Sequence, residues 1–180
     1  MPALKDKHEN IMMKRDCEIK GLLGDDIAHA YELEKEGFPK SHAASFDLLM
    51  YRHLEAPGLM IGYFAKDELV GYISGTRYHG SQVTEESKKM HIPNGGSVCI
   101  HSVCVKTHRR RQGIGTKLVQ EFVQQVKLHE QCVERIVLVT NSILIPLFTK
   151  CGFVLRWKSL IVNGPEALYE LELQLLSQKL

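Results

Sequence analysis

The sequence carries almost no net charge. Its 23 Lys and Arg against 21 Asp and Glu leave a formal +2 over 180 residues, which excludes the global basic excess of a dedicated nucleic-acid binder and confines any basic patch to one place. Aromatic residues are sparse at 7% and tryptophan occurs once, so a stacking platform for single-stranded nucleic acid has little material to be built from. No unbroken apolar run is long enough to cross a bilayer, and the opening "MPALKDKHENIMMKRD" lacks the apolar centre of a signal peptide. No membrane partner and a cytoplasmic setting are expected. The five cysteines, Cys17, Cys99, Cys104, Cys132 and Cys151, are odd in number and lack CxxC spacing, which argues against a disulfide framework and for a reducing compartment. The nine histidines show no ligand spacing with acidic or thiol partners, so no metal is expected.

What is present suits one domain. An apolar content of 44% can fill a core at this length, and no repeat, low-complexity tract or linker divides the chain. Residues 1–12 are expected to be a loose arm and 13–180 a single domain. "CEIKGLL" alternates enough for an edge strand. "GDDIAHAYELEKEGF" follows as a helix capped by Asp25 or Asp26, and "SFDLLMYRHLEA" as a second helix under Ser45. "PGLMIGYFAKDELVGYISGTRY" predicts a hairpin turning at Lys66, Asp67 and Glu68. The polar "HGSQVTEESKKMHIPNGG" predicts a long loop, and "SVCIHSVCVK" a strand. Beyond a basic knot, Ile114, Leu118, Phe122 and Val126 step by four residues along an amphipathic helix. "RIVLVT" is a buried strand, "SILIPLFTKCGF" a short helix ended by Gly152, and "ALYELELQL" a closing strand. This interleaving predicts an α/β (α+β) fold around a single mixed sheet.

The chemistry concentrates in "IHSVCVKTHRRRQGIGTKLVQEFV", Ile100 to Val123. A helix start leaves backbone N–H groups unpaired and carries partial positive charge, and glycine lets an anion approach it. Gly113 and Gly115 stand at such a start. Arg109, Arg110 and Arg111 add charge, and Gln112 and Thr116 add an amide and a hydroxyl. A pyrophosphate would be well held there, although a solvated capping turn accounts for the same residues equally well. The GK[ST] ending of a Walker loop is missing. A Rossmann fingerprint also fails, since one glycine and the acidic end of the following strand are absent.

The segment "RRQGIG", Arg110 to Gly115, resembles the RxxGxG/A acetyl-CoA signature of the GCN5-related N-acetyltransferases. Asn141 after a strand, with "IPLFTKCGF" from Ile145 to Phe153, resembles that family's later helix and its Gly-Phe ending. Within the family, the chain from "YELEKEGFP" to "LYELELQL" resembles the arylalkylamine (serotonin) N-acetyltransferases, the non-vertebrate or fungal type more closely. The resemblance implies flanking helices around a sheet with two splayed parallel strands, here those of Val103 and Val137. Acetyl-CoA would lie between them, with its pantetheine arm on the backbone of Val103, Cys104 and Val105. Its pyrophosphate would lie on the amides of Arg111, Gln112, Gly113, Ile114, Gly115 and Thr116, beside Arg110 and near Asn141 and Phe148.

Acetyl transfer from a thioester to a primary amine needs the amine neutral. Alkylammonium pKa values lie near ~10, so deprotonation at pH 7 costs about 4 kcal/mol and calls for a base. His101 is the candidate. By strand parity Cys99, His101, Val103 and Val105 would share a face and Cys104 would point away. The pineal enzymes carry two histidines here, and Cys99 replaces the first. The family's tyrosine that would protonate the leaving thiolate falls at Phe148, which has no hydroxyl. Cys104 and Cys151 invite a covalent acetyl-enzyme route, against which direct transfer is preferred. The acceptor pocket is expected around Phe38, Pro39 and His42, with Arg77 and His79. The expected partner is a small primary amine, arylalkyl or polyamine, for a monomer without nucleic-acid or 14-3-3 partners. Peptide N-termini or lysines are the alternative acceptors, and a non-enzymatic anion-binding module is the rival class.

Overall fold

The computed structural model describes residues 16–162 and 164–175; the arm expected over residues 1–12 lies outside them. Among the described residues four α-helices and seven strands follow the order β-α-α-β-β-β-α-β-α-β-β. The strands form one mixed sheet of order β1-β2-β3-β4-β5-β7-β6. They are β1 (Cys17–Gly21), β2 (Met60–Ala65), β3 (Glu68–Tyr78), β4 (Ser97–Val105), β5 (Arg135–Asn141), β6 (Val154–Lys158) and β7 (Leu168–Gln174). Only β4 and β5 are parallel; every other neighbouring pair is antiparallel. The sequence predicted every strand except β6, whose residues are all exposed at the sheet's edge, so no alternation of burial marks it.

The helices are α1 (Ile27–Gly37), α2 (Phe46–Glu55), α3 (Ile114–His129) and α4 (Ile145–Lys150). Ser45 caps α2 as expected, its hydroxyl accepting from Leu48 N–H at 3.1 Å. Asp26 acts differently. Its carboxylate accepts from Leu23 N–H at 2.8 Å and closes a 3-10 turn ahead of α1. The β2–β3 hairpin turns where predicted, with Lys66 and Asp67 both at positive φ, the geometry of a tight type I′ turn.

Each face of the sheet carries its own packing. Ile114, Leu118, Phe122 and Val126 of α3 are buried against Val98, Ile100, Ile136, Leu138 and Leu171, as the four-residue stripe requires. Phe122 fits because Gly75 has no side chain. A Cβ there would stand 2.9 Å from the Phe122 ring and 2.8 Å from the Cys99 carbonyl. On the opposite face α1 and α2 cover Tyr72, Phe64 and Cys104 through Ile27, Ala30, Leu33 and Leu49. The loop of residues 79–96, a strap rich in turns, covers the rest of that face beside Tyr78, Cys99 and Val137.

Candidate active site

Two irregularities of β4 make the site. The first is a bulge: Ser102 pairs with Ser74 but Ile100 pairs with Gly75, so His101 is the extra residue opposite no partner. The parity expected from the sequence is therefore broken. Val98 and Ile100 face α3, and after the bulge Val103 and Val105 face it too. Cys104 instead joins the α1–α2 face, the side on which His101 meets Thr76 and Cys99. The predicted shared face of His101 with Val103 and Val105, and the separation of Cys104 from it, are both corrected by this one inserted residue.

The second irregularity is a splay. β4 and β5 pair only from Ser97–Arg135 to Ile100–Leu138, while β4 runs on to Val105 and β5 to Asn141. Backbone groups of residues 101–105 that point towards β5 thus lack a ladder partner, which buried backbone does not tolerate without a substitute. Val103 lies in the opened part as expected. Val137 lies on the partner strand β5 as expected, level with Cys99, and Val139 and Thr140 follow beyond the last residue of that strand paired with β4.

The basic knot follows the splay directly. Gly113 caps α3 at φ +81 with nothing within 4 Å of a would-be Cβ, and Arg111 also has positive φ. The first-turn amides of α3 have no intrahelical acceptor, and the space beside Gly113 is open. Arg110 folds back, its Nε donating to the Val105 carbonyl at 3.0 Å, and Arg109 reaches Gln112 at 3.4 Å. Arg111 is exposed and makes no hydrogen bond or ion pair among the described residues. Thr107 N–H is held by Glu36, whose carboxyl this bond keeps below its usual range, helped by Arg110 and His108. The arrangement fits a diphosphate: open glycine, unpaired amides and one unengaged guanidinium.

His101 Nε2 lies 2.7 Å from Thr76 Oγ1, which also donates at 3.4 Å to the Ser87 carbonyl of the strap. Its Nδ1 lies 3.7 Å from Cys99 Sγ. Burial pushes the imidazole's pKa well below 6.5, and the charges of Arg52 and Lys88 push it the same way. It is therefore neutral at pH 7. The nearby thiols are not nucleophiles: burial raises Cys99 to about 12 and raises Cys104 well above its usual value, with Glu34 reinforcing the latter. Cys104 Sγ instead lies 3.5 Å from Glu34, which also accepts from Tyr72 O–H and Ala44 N–H.

The other predicted residues are scattered. Asn141 uses its side-chain oxygen to accept from Leu144 N–H at 3.2 Å and start the turn into α4. Phe148 is 5% exposed and packs edge-on against Phe153, with ring centroids 5.9 Å apart, so its ring belongs to the core. Phe38 ends α1 and packs with the α1–α2 cluster, while Pro39 and His79 are exposed. Arg77 is turned away from the acceptor face. Its guanidinium donates to the Gly95 and Gln131 carbonyls and pairs with Glu130 at 3.0 Å. Thr76, Ser87 and Arg52 escaped the sequence reading. Arg52 alone had a signal, a charge standing three residues from Leu49 on the buried stripe of α2.

Neither of two cavities contains a predicted site residue. One of about 800 Å³ lies at the β1–β2 edge beside Lys117 and Glu121. One of about 340 Å³ opens between Gln82–Glu85 of the strap and Leu160–Val162, and two of its lining residues, Val83 and Ile161, pack in the same cluster as Cys99. Among the described residues no group of three or more His, Cys, Asp or Glu gathers as a metal site, and no helix is long and apolar enough to cross a membrane.

Known proteins share this plan. Serotonin N-acetyltransferase of Mesocricetus auratus is 28% identical over 161 residues, covering 88% of this chain and 77% of its own. The loading GNATL domain of CurA from Lyngbya majuscula superposes with a TM-score of 0.76 at 14% identity, over 88% of this chain and 97% of that one. YncA of Salmonella typhimurium, solved with its cofactor acetyl-CoA, superposes at 0.69 with 16% identity, over 92% and 97%. The model of the acetyltransferase (GNAT) family matches residues 27–153, a span that runs from α1 through the bulge, the splay and the glycine-capped helix to Phe153, and the chain belongs to that family.

Proposed function

We propose that the protein is an acetyl-CoA-dependent N-acetyltransferase acting on small primary amines, arylalkylamines foremost, by direct transfer. The observation that carries this reading is the splay of β4 from β5 leading straight into the open, glycine-capped start of α3. The backbone of Val103, Cys104 and Val105 would hold the pantetheine arm. The amides of residues 111–116, with Arg111, would hold the diphosphate. Asn141 and the packed ring of Phe148 would border it from the β5–α4 side. Acetyl-CoA, when bound there, supplies an acetyl group activated as a thioester.

The chain's own part is to position an amine and take its proton. Phe38, Pro39 and His79 would contact the acceptor. The 340 Å³ cavity is faced by Val83, Leu160, Ile161 and Val162 together with Gln82, Thr84 and Glu85, which gives apolar room for an aryl group beside polar groups for an amine. The amine would attack as the neutral base, and as its nitrogen gained the bond to the acetyl carbon and the C–S bond gave way, His101 would accept the proton that this nitrogen then sheds, directly or through water. Its low pKa makes it a weak base for a free ammonium, so removal goes with bond formation, when the nitrogen becomes far more acidic. Phe148 has no proton to give, so water would have to protonate the leaving thiolate, which a thiol pKa near ~8.5 permits.

The test is a screen of acceptors with acetyl-CoA, following thiol release. Tryptamine, phenylethylamine and tyramine are expected to outpace spermidine, putrescine and a lysine peptide. Faster turnover of the peptide would replace this reading with protein acetylation, and no thiol release with any amine would end it.

A further inference from the structure

Arg52 of α2 is 3% exposed, a depth arginine seldom reaches without an acidic partner. Nη2 donates to the Lys88 carbonyl of the strap at 2.9 Å. Nε and Nη1 are buried and have no hydrogen-bond partner. Among the described residues no carboxylate forms an ion pair with it, and Glu34 is already taken by Tyr72, Ala44 and Cys104.

A second, independent group shares this condition. Ser74 Oγ is fully buried and also unpartnered. On β3 it stands between Tyr72 and Thr76, on the face that α1 and α2 cover, because its neighbours Ile73 and Gly75 face α3. The charge of Arg52 is felt at Tyr72 and Glu34 on one side of Ser74 and at Cys99 and His101 on the other. Lys88 adds positive potential at Cys99 and His101. The layer beneath α2 is thus enclosed, with the Glu34 carboxylate at its Tyr72 end, Glu170 acting on Cys99, and uncommitted polar groups on two elements. The Arg52 charge is costly to bury alone and is offset when an anion shares its enclosure.

We propose that Arg52 and Ser74 form a subsite for a carboxylate or similar small monoanion, beneath α2 and beside the Thr76–His101 pair. Two sources share that chemistry. One is a carboxylate carried by the acceptor amine, as in an aromatic amino acid, which would narrow the substrate class of the proposed transferase and rests on that reading. The other is a free small anion, which does not.

Formate is the probe, exchanged against sulfate at constant ionic strength with the full chain. A saturable rise in melting temperature of roughly 2–4 °C is expected for the wild type. Arg52→Met should abolish it, Ser74→Ala should weaken it and Arg52→Lys should retain part. Arg52→Met removes a buried unpaired charge at similar length, so its fold is expected to survive. In a second arm, phenylalanine and phenylethylamine are compared as acceptors with formate as inhibitor. Formate competing with phenylalanine assigns the subsite to the acceptor's carboxylate; formate binding without competition assigns it to a free anion. No saturable formate effect on the wild type, or an equal effect on Arg52→Met, overturns the proposal. Coenzyme A binding, measured on the same samples, reports separately on the transferase reading.

Discussion

Replacing His101 with Gln tests the base. Glutamine keeps a side-chain amide able to bond Thr76 but cannot take a proton at any working pH. The wild-type imidazole, held below 6.5 by burial and by Arg52 and Lys88, is at least roughly three-quarters neutral at pH 7. The substitution therefore removes a working base, and positioned bases contribute about 10²–10⁴-fold. A fall in kcat of about a hundredfold is expected, with little change in the KM for acetyl-CoA. The pH profile is the sharper readout. An acid limb governed by His101 must lie below 6.5, apart from the rise with pH that the ammonium itself imposes, and His101→Gln should erase that limb. Stability supplies a second sign. A histidine with a depressed native pKa contributes stability present above about 6.5 and lost as pH falls through its native value, so the variant's melting temperature should fall less on acidification. Steady-state kinetics and melts between pH 5 and 9 measure both. An acid limb that survives in the variant, or a loss confined to the KM of acetyl-CoA, would refute the reasoning.

Two further outcomes follow. Gly75→Ala should destabilise the fold by about 1–3 kcal/mol, because its Cβ would meet the Cys99 carbonyl at 2.8 Å and the Phe122 ring at 2.9 Å; unchanged thermal melting would mean that α3 does not press on the sheet so closely. Mass spectrometry after incubation with acetyl-CoA and no acceptor should find Cys99 and Cys104 unmodified, since burial pushes Cys99 up to about 12 and raises Cys104 well above its usual value, leaving almost no thiolate at neutral pH. An acetyl thioester on either cysteine would restore a covalent route.

Much of this architecture was legible because it repeats. The stripe on α3, the Ser45 cap and the β2–β3 hairpin each follow from local periodicity or turn chemistry. The glycine-capped helix start was legible for the same reason, since Gly113 and the arginines act through backbone geometry close in sequence. What escaped depends on register between distant strands. The extra residue at His101 exists only relative to Ser74 and Gly75, about 26 positions away by the numbering of the paired residues, and it reverses the facing of everything after it on β4. Strand content likewise does not reveal where the two parallel strands, β4 and β5, part. β6 carries no burial pattern, and Arg77 reads as an acceptor-pocket residue until Glu130 and Gln131 are brought to it by the fold.

The most direct test of the central claim is a calorimetric titration of coenzyme A into the wild-type chain and into Gly113→Val, which forces a β-branched residue into φ +81 at the start of α3. Saturable one-to-one binding to the wild type is expected, with affinity markedly weakened in a variant that remains folded. Absence of heat with the wild type up to millimolar coenzyme A, or equal affinity in the folded variant, would contradict it.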